Sequence, residues 1–183
     1  MQMNVMDIKR IGNETDLWFA QQLYLKSFPE DERRELEEWV NMTHSEPKFF
    51  NNVITEDSHN VGMITFWDFH AFVYVEHFAI DAAIRGKGLG GRALEMFLSD
   101  KTKPVVLEVE PPVGDMEQRR IAFYERYGFK VCNKKYIQPP YRENGNSLDL
   151  KIMYYGCGDI EDLFDRMVTT IYKHVYKQEG RTL

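Results

Sequence analysis

One segment constrains the fold more than any other: Ile80-Asp81-Ala82-Ala83-Ile84-Arg85-Gly86-Lys87-Gly88-Leu89-Gly90-Gly91. It follows an apolar, β-branched and aromatic run, Phe72 to Ile80, and precedes helix-forming Ala93 to Lys101. Alternating glycines let a backbone turn and approach a ligand closely. At a helix start the free N–H groups form an anion site, reinforced by the helix dipole. A phosphorylated ligand is the natural guest. Gly86, Gly88 and Gly91 satisfy G-x-G-x-x-G, and an acid about 20 residues on, Glu108 or Glu110, completes the dinucleotide pattern. In a dinucleotide fold, however, the strand runs straight into the first glycine. Here Asp81 to Arg85 intervene and the loop lies mid-chain, so an NAD(P)-binding oxidoreductase is the weaker reading. No GxxxxGK[ST] is present.

Composition narrows the classes further. The chain has 183 residues, 43% of them hydrophobic, which suits one domain with or without an appendage. Its net charge of −6 argues against nucleic acid as a partner. No apolar run approaches the roughly 18 residues of a membrane helix. Met1 to Arg10 lacks the apolar core of a secretory signal. Cys132 and Cys157 form no CxxC, and the five histidines form no HExxH. A disulfide scaffold and a metal site are therefore not expected, and a cytoplasmic setting is.

The element pattern reads β-α-α-β-β-β-α-β-α-β-β-α, a mixed α/β fold with antiparallel strands early and a crossover later. Val5 to Ile11 predicts a strand, and Asn13 to Ser27 a helix capped by Asn13. Asp31 to Thr43 predicts a second helix. Phe49 to Thr55 and Val61 to Phe69 pair around Asp57-Ser58-His59-Asn60. Pro104 to Val109, Phe129 to Ile137 and Leu148 to Tyr155 are later strands, and Asp115 to Tyr127 is a helix closed by Gly128. Asp159 to Lys177 carries the clearest helical period, from Ile160 through Val175. It reads as a helix docked on its own domain, with a homodimer contact as the other reading. The chain divides into a domain over 1–156 and a C-terminal helical extension over 157–183.

Three separated motifs carry a resemblance. The first is Phe78-Ala79-Ile80 followed by Arg85-Gly86-Lys87-Gly88-Leu89-Gly90, an R-x-x-G-x-G pattern. The second is the strand Leu107-Glu108-Val109-Glu110. The third is Phe123-Tyr124-Glu125-Arg126-Tyr127-Gly128-Phe129, similar to an F-Y-x-x-x-G-F signature. In this order the chain resembles the GNAT superfamily of N-acetyltransferases over roughly residues 5 to 155. The resemblance implies a mostly antiparallel central sheet flanked by helices. It also implies acetyl-CoA as acyl donor and a small-molecule or peptide amine as acceptor. The pyrophosphate would rest on Arg85, Gly86, Lys87, Gly88, Leu89, Gly90 and Gly91, and the pantetheine arm along the backbone of Phe78, Ala79 and Ile80. The sequence departs from the family at Glu117 and Arg120, where Asn and a small residue are usual. Arg120 reads either as a phosphate ligand or as a surface charge.

A protonated amine needs a base, and a carboxylate is the candidate. Glu108 matches the place where some members carry one. Glu76, on the strand before the glycine loop, is the alternative, and either reads equally as a structural partner of an arginine. On a regular strand Glu76 shares a face with Tyr74, Phe78 and Ile80, and His77 points the other way. Tyr124 matches the family's tyrosine acid, with aromatic packing as its other reading. Residues 84–103 and 115–135 each carry a net +3 around the presumed phosphate site. Glu30 to Glu38 carries −4, suited to a cationic acceptor or simply to solvent. A non-catalytic acyl-CoA binder of the same fold is the competing class.

Overall fold

The computed structural model describes residues 5–178. The outer ends of the two-part division, 1–4 and 179–183, lie outside the described residues. Strand β1 (Met6–Arg10) leads to α1 (Glu14–Ser27), whose first turn is capped by the Asn13 side chain accepting the Asp16 N–H at 2.8 Å. A single 3-10 turn, Glu30–Glu32, precedes α2 (Leu36–Ser45). Strands β2 (Phe49–Glu56), β3 (His59–Asp68) and β4 (Val73–Ile80) form a meander. Asp57 and Ser58 both adopt left-handed conformations at its first hairpin. Next come α3 (Leu89–Leu98), β5 (Val105–Val109) and α4 (Asp115–Arg126). Strands β6 (Lys130–Val131), β7 (Tyr136–Gln138) and β8 (Leu148–Tyr155) precede α5 (Glu161–His174).

The sheet runs β1-β2-β3-β4-β5-β8-β6, with β7 also on β8. Every pair is antiparallel except β4–β5, which α3 connects as a crossover. Helices cover both faces. On one, α1, α2 and α5 bury Tyr24, Trp39, Phe164, Met167 and Ile171 against Trp67, Val106 and Ile152. On the other, α3 and α4 bury Leu94, Phe97 and Ile121 against Ile64, Val75 and Leu107. Helix α5 thus spends its apolar stripe on its own domain. No helix among the described residues is long and apolar enough to cross a membrane.

Three expectations change. The second helix begins at Leu36, not Asp31, because Arg34 is drawn inward: its N–H bonds Tyr24 Oη at 2.9 Å and its side chain is 2% exposed. The residues before Leu36 also lack an apolar stripe to hold a helix down. The strand predicted over Phe129 to Ile137 is two short strands. Polar Asn133-Lys134-Lys135 interrupts it, and Lys134 turns toward α5 to reach the Glu161 carbonyl. Finally, β4 is not regular. Thr65 pairs with His77 but Phe66 with Val75, so Glu76 is the extra residue of a β-bulge. The bulge puts His77 on the same face as Glu76, and Phe78 and Ile80 on the opposite one.

Candidate active site

Strands β4 and β5 pair only from Val73–Val75 to Val105–Leu107. Beyond that point β4 bonds to β3, and β5 bonds to β8. Among the described residues no strand covers the β5-facing edge of β4 at Phe78, Ala79 and Ile80. Two parallel strands that part at their carboxyl ends leave a cleft with an unpaired backbone on one wall, ready to accept an added extended chain.

The glycine loop stands at the end of that edge. Gly86 and Gly88 adopt φ of +88° and +72°, and a Cβ at either would meet nothing within 4 Å. Their requirement is conformational, and the loop surface is open. Gly88 ends the loop as the N-cap of α3, whose first internal bond is Arg92 N–H to the Gly88 carbonyl. The N–H groups of Leu89, Gly90 and Gly91 therefore lack intrahelical acceptors. Gly91 packs where a Cβ would fall 1.8 Å from Tyr127 Oη, which ties α3 to the end of α4. Arg85 folds back, its Nε donating to the Ile80 carbonyl at 3.1 Å. Helix α3 starts four residues earlier than predicted, so Gly90 and Gly91 belong to its first turn. Gly88→Ala is expected to cost about 1–2 kcal/mol, the penalty of a left-handed L-residue, measured by denaturant unfolding.

Glu108 sits across the cleft on β5, half-buried. Tyr136 Oη donates to its Oε1, and Tyr176 Oη lies 2.8 Å from Oε2 and 3.1 Å from Oε1. Burial drives its pKa up, to about 7, against the pull of the tyrosine hydrogen bonds; the Glu76 charge adds to the rise. Such a carboxyl exchanges protons near neutrality.

Glu76 is placed differently. Its side chain is wholly buried, Oε1 taking Arg34 Nη2 at 2.5 Å and Oε2 taking Trp67 Nε1 at 2.6 Å. Burial opposes its ionisation, but the Arg34 charge, with His77 and the Trp67 N–H, holds the pKa below the ordinary range. The bulge places His77 beside it, between the rings of Tyr24 and Phe28, with Nε2 2.9 Å from the Glu32 carbonyl. Burial lowers the His77 pKa, against the pull of the Glu76 charge and the Glu32 carbonyl, with the Arg34 charge adding to the fall.

Tyr124 lies on the other sheet face, packed edge-on to Phe123 and Phe129. Burial pushes its hydroxyl up to about 12, Arg120 acting in the opposite sense. Arg120 itself pairs with Glu110, just beyond β5, at the surface. Part of the basic charge is neutralised: Arg92 pairs with Glu56, Lys101 with Asp100, Lys103 with Asp68 and Lys134 with Asp165. Within the acidic run, Arg34 is internal rather than solvated, and Glu30 and Glu35 meet Arg142 of the β7–β8 loop. Those two loops face each other, Asn146 reaching Asp31 at 3.2 Å.

Arg34, Trp67, Tyr136 and Tyr176 enter the site with no motif to announce them. The only trace is the density of tyrosines at Tyr136, Tyr141, Tyr172 and Tyr176. Among the described residues no three His, Cys, Asp or Glu side chains are placed to hold a metal.

Comparison with known proteins agrees with this geometry. The family model for the acetyltransferase (GNAT) family matches residues 14–129. YjbC of Bacillus subtilis (strain 168), a proposed acetyltransferase, is 27% identical over 151 residues, 79% of this chain and 78% of its own. A solved structure from Bacteroides thetaiotaomicron, a proposed acetyltransferase of the GNAT family, is 39% identical. It has a TM-score of 0.89 over 94% of this chain and 99% of its own. The structure of yncA from Salmonella typhimurium with its cofactor acetyl-CoA shares the fold, at 18% identity. Its TM-score is 0.59 over 85% of this chain and 96% of its own.

Proposed function

The chain belongs to the GNAT family of acetyltransferases, and from that premise we propose that it moves an acetyl group from acetyl-CoA to a primary amine by direct attack in a ternary complex. The observation that carries the reading is the position of Glu108: a half-buried carboxyl, held by the Tyr136 and Tyr176 hydroxyls, where β5 parts from the unpaired edge of β4. The residues present suit the donor. Open, left-handed Gly86 and Gly88 and the free N–H groups of α3 would take its pyrophosphate, and the edge of Phe78, Ala79 and Ile80 its amide-bearing arm. A backbone N–H of that edge would also steady the developing oxyanion.

A primary amine has a pKa of roughly 10 and attacks only when neutral. Glu108 takes its proton, directly or through one water. The neutral nitrogen then bonds to the acetyl carbon, the C–S bond breaks as the sulfur takes the Tyr124 proton, and the second proton that the nitrogen sheds as the amide forms restores the Tyr124 hydroxyl through solvent. Glu76 acts as a structural anion that fixes Arg34, and Arg120 as a partner of Glu110 rather than of a phosphate. Of the described residues, 5–156 form the catalytic domain and 157–178 an extension packed on it. The acceptor enters between the Phe28–Glu32 and Gln138–Arg142 loops.

Calorimetric titration with acetyl-CoA, using a nicotinamide dinucleotide as control, tests the donor. Binding of acetyl-CoA alone is expected. Binding of the nicotinamide dinucleotide alone would overturn the reading. Tyr124→Phe is expected to lower kcat about 10²-fold while leaving calorimetric acetyl-CoA affinity unchanged.

A further inference from the structure

We propose that Tyr176, supplied by the segment after α5, is a positioning residue for Glu108, so that the C-terminal extension completes the active site. The inference rests on Glu108 as the base. Tyr176 is 5% exposed and lies outside the three family motifs. Its hydroxyl spans both Glu108 oxygens and lies 3.2 Å from Tyr74 Oη. The segment is held in place from two sides. Val175 and Tyr176 N–H groups return to the Ile171 carbonyl at 2.8 and 3.4 Å. The Val175 carbonyl accepts Arg34 Nη1 at 2.8 Å. Arg34 therefore ties the end of α5 to Glu76 on β4, and Tyr176 ties it to Glu108 on β5. The two strands that part to form the cleft are thus braced by one segment.

A phenylalanine would keep the ring contact with Tyr141, whose centroid lies 4.8 Å away. The Tyr176 hydroxyl serves Glu108, Tyr74 and Tyr141. The groups facing Glu108 are Tyr74 and Glu76 from β4, Tyr136 from β7, Tyr141 from the β7–β8 loop, and Tyr176. Burial, with the Glu108 charge next, pushes Tyr74, Tyr136 and Tyr176 well above the ordinary phenol range, so they remain protonated. Donation from a hydroxyl favours the ionised carboxylate, and its loss favours the acid.

The test is a carboxyl 13C NMR titration of Glu108 in the full chain, assigned by its disappearance in Glu108→Gln. It is paired with the pH profile of kcat/KM. In Tyr176→Phe the NMR midpoint is expected to rise by roughly 1–2 pH units, the effect of one hydrogen bond to a charged group. The acid limb of the rate profile should move with it. Activity falls about 10- to 100-fold on that limb and is regained at higher pH. Incorporating 3-fluorotyrosine at 176, which keeps the ring and sharpens the donor, should shift both midpoints downward even if Tyr176→Phe fails to fold. An unmoved NMR midpoint overturns the proposal directly. A moved NMR midpoint with an unmoved rate profile overturns it through its premise, the assignment of the base.

Discussion

Glu108→Gln is expected to lower kcat/KM for the acceptor amine by about 10²–10⁴-fold, the usual worth of a positioned general base. Acetyl-CoA affinity should be unaffected, because the carboxyl lies on β5, across the cleft from the glycine loop and the β4 edge that would hold the donor. The variant should also lose the rise of activity through pH of about 7 that Glu108 imposes. The same substitution should stabilise the protein. The folded-state pKa of Glu108 is raised from the ordinary 4.5 to about 7, so folding favours the protonated acid. That stability is fully present below about 4.5 and is lost as pH rises through about 7. Glutamine cannot ionise. Glu108→Gln should therefore match the parent in mild acid and exceed it above pH 7 in denaturant unfolding. A group kept for chemistry at the expense of stability is the pattern expected of a catalytic carboxyl.

The second large effect belongs to Arg34. Arg34→Met leaves the Glu76 carboxylate, wholly buried, without its cation. The expected loss is about 3–5 kcal/mol, the cost of breaking a buried pair from one side. It also frees the Val175 carbonyl and unbraces the end of α5. The double variant Arg34→Met/Glu76→Gln should recover much of the loss, since no unpaired charge remains. Because Glu76 titrates below its ordinary value, the pair stabilises the fold above the normal carboxylate range. That contribution fades as pH falls through the lowered value. The single variant should therefore differ most from the parent near neutrality. Denaturant unfolding of the three proteins at two pH values checks this. If the double variant is as unstable as the single one, Arg34 acts mainly through packing against Tyr141 and Trp67.

The parts of this account legible in sequence are those written in local pattern. Helix α5 followed from the spacing of Ile160, Phe164, Met167 and Ile171, and α1 from the Asn13 cap. The glycine loop was legible because left-handed backbone at Gly86 and Gly88 leaves few alternatives to glycine. Glu108 could be named as a candidate because strand alternation and a family motif agreed on it. What was not legible is non-local. The bulge at Glu76 is set by how β3 and β4 pair, and alternation alone assigns His77 to the wrong face. Arg34 sits in a run of acids that reads as a solvated surface, yet its partner lies 42 residues away. Tyr176 meets Glu108 across 68 residues. Choosing between Glu108 and Glu76 required knowing which carboxylate an arginine had already taken. The net charge of the basic stretches was likewise a partial guide, since Arg92, Lys103, Arg120 and Lys134 are paired with acids outside those stretches.

In the proposed reaction Glu108 accepts the amine proton during acetyl transfer from acetyl-CoA. The most direct measurement follows product and free thiol from acetyl-CoA with a panel of primary amines, from mildly acid to alkaline pH, for the parent and Glu108→Gln. The expected result is an acetylated amine whose formation rises through pH of about 7 in the parent and nearly vanishes in the variant. Acetyl-CoA that binds while no amine is acetylated at any pH, or a variant as active as the parent, would contradict it.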